Sequence, residues 1–155
     1  MKGFGQQDID ALIGKSRTSP RRRAAIALHP ADKRGTRCIV NCIQPDSYVA
    51  PHLHPSQDGQ EIWIPYQGRI ALITFDEPGE IKDKIYLSRG EHNFVEIPER
   101  TFHTAVALGE DSIMYEFSEG PYVQSTYKEF ATWAPSEDDT ERAAEFLKGL
   151  KALLS

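Results

Sequence analysis

The stretch HLHPSQDGQEIWIPYQG, residues 52–68, decides how this chain is read. In an extended strand, residues i and i+2 point to the same face. His52 and His54 can therefore present two imidazoles to one point without unusual backbone. Glu61 opens the next apolar run and adds a carboxylate. Gly68 suits the turn into the strand that follows, a place where φ > 0 is often required. A second stretch, GEHNFVEIPERTFHTAVA at 90–107, is punctuated by Gly90 and Pro98 and starts a new strand at His103. Three imidazoles and one carboxylate suit a single first-row divalent ion (Zn, Fe, Mn or Ni) and leave positions open for water or substrate.

Outward from these stretches, short runs rich in Val, Ile, Tyr and Phe fill the middle of the chain. The candidate strands are 36–43, 47–54, 60–66, 69–75, 83–88, 93–97, 103–108 and 111–118, broken by Gly68, Pro78-Gly79, Gly90, Pro98 and Gly109. Many short strands with turn residues between them indicate an antiparallel sandwich or closed barrel. No long helical period interrupts them, which disfavours a parallel α/β sheet. In QQDIDALIGKSR, residues 6–17, Ile9, Leu12 and Ile13 fall at helical spacing, with Asp8 as the expected N-cap. Ser136 with Glu137, Asp138 and Asp139 reads as the start of a second amphipathic helix carrying Ala144, Phe146, Leu147, Leu150 and Leu153. That helix is expected on the outside of the barrel or at a subunit contact. The expected organisation is one domain over 1–155. It has a helical and basic extension at 1–35, a barrel at about 36–128 and a terminal helix at about 136–153.

These residues resemble the cupin superfamily, in its HxH pair (52–54), in a glutamate seven residues before a glycine (61–68) and in a proline five before a histidine (98–103). Four departures from the pattern stand out. The His54–Glu61 spacing is longer, Arg100 stands where the second motif has a glycine, Ala107 stands where asparagine is common, and no glycine sits six before His52. The resemblance implies an all-β fold, a double-stranded β-helix or cupin jelly-roll barrel, with His52, His54, Glu61 and His103 as metal ligands. More narrowly, the chain is similar to the WbuC family of cupin-fold metalloproteins. That similarity rests on SPRRR (19–23), LHP (28–30), SYVAPHLHP (47–55), EIPERTFHT (96–104), EGPY (119–122) and WAP (133–135). It implies a setting among cell-surface polysaccharide genes and a sugar or nucleotide sugar as substrate.

Other residues divide between plain and chemical readings. Arg21, Arg22 and Arg23 read either as a solvated charge run or as a clamp for an anionic substrate. Trp63 shares the face of Glu61 and should line the cavity as packing or as an apolar wall, whereas Tyr66 should not. Tyr115 and Glu116 lie on opposite faces of the last strand. If Glu116 looks inward it is a candidate general base. His92 reads as a turn residue; His29 lacks a partner at ligand spacing, and the family resemblance places its segment close to the barrel mouth.

The formal net charge of -5 makes a nucleic-acid partner a poor expectation, and no apolar run is long enough for a membrane span. Cys38 and Cys42 read as buried free thiols, and the start of the chain has no apolar h-region; both point to the cytoplasm. A homodimer is a further expectation. Three function classes follow. The first is a metal-dependent isomerase or epimerase, with an iron-dependent dioxygenase sharing its ligand type. The second is a non-catalytic ligand-binding or sensing module, marked by a closed site without a base. The third is a metal-free epimerase with a histidine base.

Overall fold

The computed structural model of the protein describes residues 3–28, 35–55, 60–119 and 128–154. Its elements run in the order α1 (Gln6–Thr18), β1 (Arg23–Ala27), β2 (Thr36–Ile43), β3 (His52–Leu53), β4 (Glu61–Gln67), β5 (Ile70–Asp76), β6 (Glu80–Leu87), β7 (Val95–Ile97), β8 (Phe102–Ala107), β9 (Ser112–Glu119), β10 (Glu129–Phe130) and α2 (Thr140–Ala152). The strands form two antiparallel five-stranded sheets, ordered β1-β2-β9-β4-β7 and β10-β3-β8-β5-β6. This is an all-β antiparallel fold, as the strand pattern indicates, in the jelly-roll form that the cupin resemblance implies, with two short flanking helices. Among the described residues no helix is long and apolar enough to cross a membrane.

Strand alternation sorts the side chains into layers. Ile70, Leu72, Ala105, Ala107, Trp63 and Met114 point between the sheets and pack together. Their neighbours Ala71, Ile73, Phe75, Phe102 and Val106 point the other way and are covered by Ala143, Leu147 and Leu150 of α2. On the opposite side, Val40, Cys42 and Ile113 pack beneath Ile9 and Leu12 of α1. Strand β5 is thus buried on both faces, which is why ITF and its neighbours read as a continuous apolar run. The apolar face of α2 is used on its own sheet, so this helix sits on the outside of the barrel.

Four local expectations change. Asp8 does not cap α1. Gly5 is the N-cap, and Asp8 occupies the third helical position, where its carboxylate accepts from the Gly5 backbone N–H at 2.8 Å. Residues 23–27, read as part of a basic extension, form an edge strand that pairs along its own length with β2, from Ala27↔Ile39 to Arg23↔Ile43. The expected strand 47–54 is reduced to His52 and Leu53, because Pro51 and Pro55 supply no backbone donors on either side. The N-cap of α2 lies three residues later than Ser136, at Asp139, whose side chain accepts from the Arg142 N–H.

Turn chemistry supports the barrel at two positions. Gly68 has φ 74°, and a Cβ there would lie 2.6 Å from Ser112 Oγ and 2.9 Å from its Cα, so no side chain fits. Arg100 has φ 54°, the left-handed conformation that a glycine would adopt without strain.

Candidate metal centre

Cross-strand pairings assemble the site. His52 on β3 lies opposite His103 on β8, which lies opposite Thr74 on β5. Across the barrel, Glu61 opens β4 opposite Ser118 of β9 and Ile97 of β7. His54 follows β3, one alternation beyond His52. One ring nitrogen from each of His52, His54 and His103 falls within 4.8 Å of the others. The Glu61 carboxylate bridges two of them, with Oε1 at 2.9 Å from His54 Nε2 and Oε2 at 3.1 Å from His103 Nε2. All four residues are buried.

The chemistry of this donor set fits a metal ion. His52 Nδ1 lies 2.9 Å from the Ala50 carbonyl, and His103 Nδ1 lies 2.8 Å from the Thr101 carbonyl. A carbonyl only accepts, so each Nδ1 carries a proton and donates it. His103 Nε2 is then the ring nitrogen that faces the Glu61 carboxylate. Such an arrangement is stable only with a cation between the two atoms, either a proton or a metal. Backbone carbonyls that fix the imidazole tautomer are the usual support for histidine ligands. Burial and the nearby charges of Lys128 and His103 hold the His52 imidazole well below its ordinary value, in the neutral form a ligand requires. Burial alone would raise the Glu61 carboxyl, but hydrogen bonds with His103 and His54 outweigh it and keep the group well below the usual range.

A cavity of about 580 Å³ opens beside this group, lined among others by His52, Trp63, Asn41, Glu116 and Arg37. Glu116 points inward and Tyr115 outward, where Tyr115 meets Tyr66 edge-on under α1. Asn41 Nδ2 donates to Glu116 Oε2 at 3.0 Å. Burial, and then the charge of Glu61, push the Glu116 carboxyl up to about 7. Trp63 lies buried on the same wall and meets His103 edge-on.

The arginine run divides where the turn at Arg22, with φ 53°, leads into β1. Arg21 and Arg23 reach the cavity wall, and both donate to the carboxylate of Glu137. Arg23 also donates to the Tyr48 carbonyl at 2.7 Å. Arg22 turns away to Asp46 at 2.8 Å and takes no part in the cavity. Glu137, expected in the first turn of α2, is instead the bridge that ties the C-terminal segment to β1. His92 sits exposed in a turn with Nδ1 donating to the Tyr86 carbonyl. His29 lies outside the described residues, as does most of EGPY. The sequence reading missed Arg37 and Asn41, although the alternation of TRCIVNCI places both on the face opposite Cys38, Val40 and Cys42.

Solved structures share this architecture at low identity. An oxalate oxidase in complex with the substrate analogue glycolate aligns with a TM-score of 0.57 at 16% identity, over 89% of this chain and 75% of that one. A variant of the salicylate 1,2-dioxygenase from Pseudoaminobacter salicylatoxidans in complex with gentisate aligns with a TM-score of 0.59 at 14% identity, over 83% of this chain and 37% of that one. KdgF from Halomonas sp. aligns with a TM-score of 0.52 at 19% identity, over 70% of this chain and 87% of that one. These likenesses establish the cupin fold. No curated protein matches the chain in sequence. A model for the family described as a domain of unknown function, DUF6016, matches residues 4–87, more than half of the chain, and the chain belongs to that family.

Proposed function

We propose that this protein is a metal-dependent enzyme that acts on a small polar molecule, of the isomerase or epimerase type, with a sugar or nucleotide sugar as substrate. The observation that carries the reading is the convergence of His52, His54, Glu61 and His103 beside a cavity that also holds Glu116. The four residues would hold one divalent transition ion. When bound, such an ion polarises a carbonyl or hydroxyl pair, or lowers the pKa of a coordinated water.

The chain's own residues supply the rest. Burial raises the Glu116 carboxyl, which lies on the cavity wall where it can exchange a proton with a ligand. Asn41 orients that carboxylate, and Trp63 gives the cavity an apolar wall against which a sugar face can pack. An ionisable base in an accessible cavity favours catalysis over a purely sensing role. The WbuC-like stretches support a place in cell-surface polysaccharide synthesis, and the free, buried Cys38 and Cys42 support a reducing compartment such as the cytoplasm.

Elemental analysis of the purified protein tests the metal. About one equivalent of a transition metal is expected, falling to background in His54→Ala. Substoichiometric metal that is the same in both proteins would overturn the reading. Glu116→Gln should keep the metal and lose turnover of sugars or nucleotide sugars that the wild type converts.

A further inference from the structure

The approach to His52 has no sheet ladder of its own. Strand β3 consists of His52 and Leu53, and residues 47–51 ahead of it belong to no strand. Bonds from distant parts of the chain hold that approach instead. The Thr104 hydroxyl of β8 donates to the Val49 carbonyl, and the Ala131 N–H, just after β10, donates to the Pro51 carbonyl at 2.9 Å. Arg23 of β1 donates to the Tyr48 carbonyl at 2.7 Å. Between these, Glu137 Oε1 accepts from the Ala50 N–H at 3.2 Å. The Ala50 carbonyl in turn accepts from His52 Nδ1 at 2.9 Å. A single residue thus stands between the Glu137 carboxylate and the imidazole.

We propose that Glu137 is a positioning residue for the metal centre, which holds Ala50 so that the His52 ring keeps its Nδ1 proton on the Ala50 carbonyl and its Nε2 free to ligate. The inference rests on the metal-centred reading of the cavity and adds to it a support from the C-terminal segment. Glu137 is itself firmly placed. The Tyr48 hydroxyl donates to the Pro135 carbonyl at 2.8 Å, which fixes the chain two residues before Glu137. Arg21 donates to Oε2 and Arg23 to Oε1, so neither oxygen can swing away without breaking an ion pair. A carboxylate held in this way accepts from a backbone N–H more strongly than a neutral group would. The Arg23 pair is also sheltered, with the Glu137 side chain 21% and the Arg23 side chain 16% exposed, so water screens it less than an ordinary surface pair. Arg21 and Arg23 therefore act on the metal centre through Glu137.

The test compares wild type with Glu137→Ala, and with Asp46→Asn as a control. Asp46→Asn breaks the ion pair of Arg22, the arginine of the run that turns away from the cavity. Two readouts are taken on the folded, full-length protein. The first is cobalt(II) affinity, followed by visible absorption against a competing chelator. The second is the set of ring 1H–15N correlations of His52 in metal-free, 15N-labelled protein, assigned by their loss in His52→Gln. Glu137→Ala is expected to weaken cobalt binding by about 10- to 100-fold. It should also shift the His52 ring from the Nδ1–H form toward a mixture of tautomers. Asp46→Asn should leave both readouts unchanged. If Glu137→Ala does not fold, Glu137→Gln takes its place, with a smaller loss in the same direction because its amide oxygen still accepts. Cobalt affinity equal to wild type in the folded variant overturns the inference, as do unchanged His52 resonances or an equal loss in Asp46→Asn. Wild-type protein that takes up no cobalt removes the metal reading, and the His52 resonances then decide the role of Glu137 on their own.

Discussion

The two halves of the barrel interior are built by the same strand alternation and serve opposite ends. In one half, Ile70, Leu72, Leu87, Val95, Ile97, Ala105 and Ala107 close into an apolar cluster that excludes water. In the other, His52, His54, Glu61, His103 and Glu116 are buried at comparable depth, although each is costly to remove from water. Single strands run through both. On β8, His103 faces the polar half and Ala105 and Ala107 the apolar one; on β5, Thr74 lies opposite His103 while Ile70 and Leu72 pack into the cluster. The apolar half therefore supplies the stability on which the polar half is mounted. The short steps along β5 and β8 hold the histidines at fixed separations.

Metal removal should separate the halves most sharply. An ion bound at about a thousand times its Kd adds roughly 4 kcal/mol to the folded state. In a chain of this size, chelation with EDTA should therefore lower the thermal midpoint by roughly 10 °C. His103→Ala and Glu61→Gln should melt at the same temperature with and without EDTA. Wild-type protein indifferent to EDTA would remove the polar half's claim to an ion.

The apolar half should answer differently. Leu72 is 1% exposed within the cluster, and Leu72→Ala should cost about 2–5 kcal/mol in urea unfolding. The variant should still bind about one metal per folded molecule and keep its response to EDTA. Loss of metal in the folded variant would mean that packing in the apolar half sets the histidine geometry directly.

Much of this division was legible in the sequence. Alternation alone puts Trp63 on the face of Glu61 and sends Tyr66 to the other, and the structure has Trp63 inside and Tyr66 beneath α1. The same rule, applied to TRCIVNCI, reaches Arg37 and Asn41, but their polar character in an otherwise apolar run was read past. What alternation could not reveal were contacts between distant segments. Strand β1 is five residues with three alanines, too short for a period of its own, and it becomes a strand by pairing with β2. Glu137 has a good helix-start sequence, yet it is drawn into ion pairs with Arg21 and Arg23, 116 and 114 residues away in the chain. The helix then starts from Asp139 instead. Both cases are tertiary contacts overriding local propensity.

Arg100 gives the smallest effect and a test of how strongly the turn into β8 guides His103. It takes the left-handed conformation at φ 54°, three residues before His103, at the position where the cupin pattern has a glycine. A non-glycine residue there carries about 1 kcal/mol of backbone strain. Its side chain returns part of that by donating to the Pro55 carbonyl at 3.3 Å, which links the turn to the residue after His54. In Arg100→Gly the strain disappears, but the unfolded chain gains freedom and the link to Pro55 is lost. These effects oppose one another, so unfolding stability should change by less than about 1 kcal/mol. Metal affinity is the more discriminating readout, because the Pro55 contact spans the two histidine-bearing segments. Weaker metal binding at unchanged stability would show that Arg100 positions the ligands of the polar half. An unchanged affinity would leave the cross-strand pairing of His52 with His103 as the feature that holds the site together.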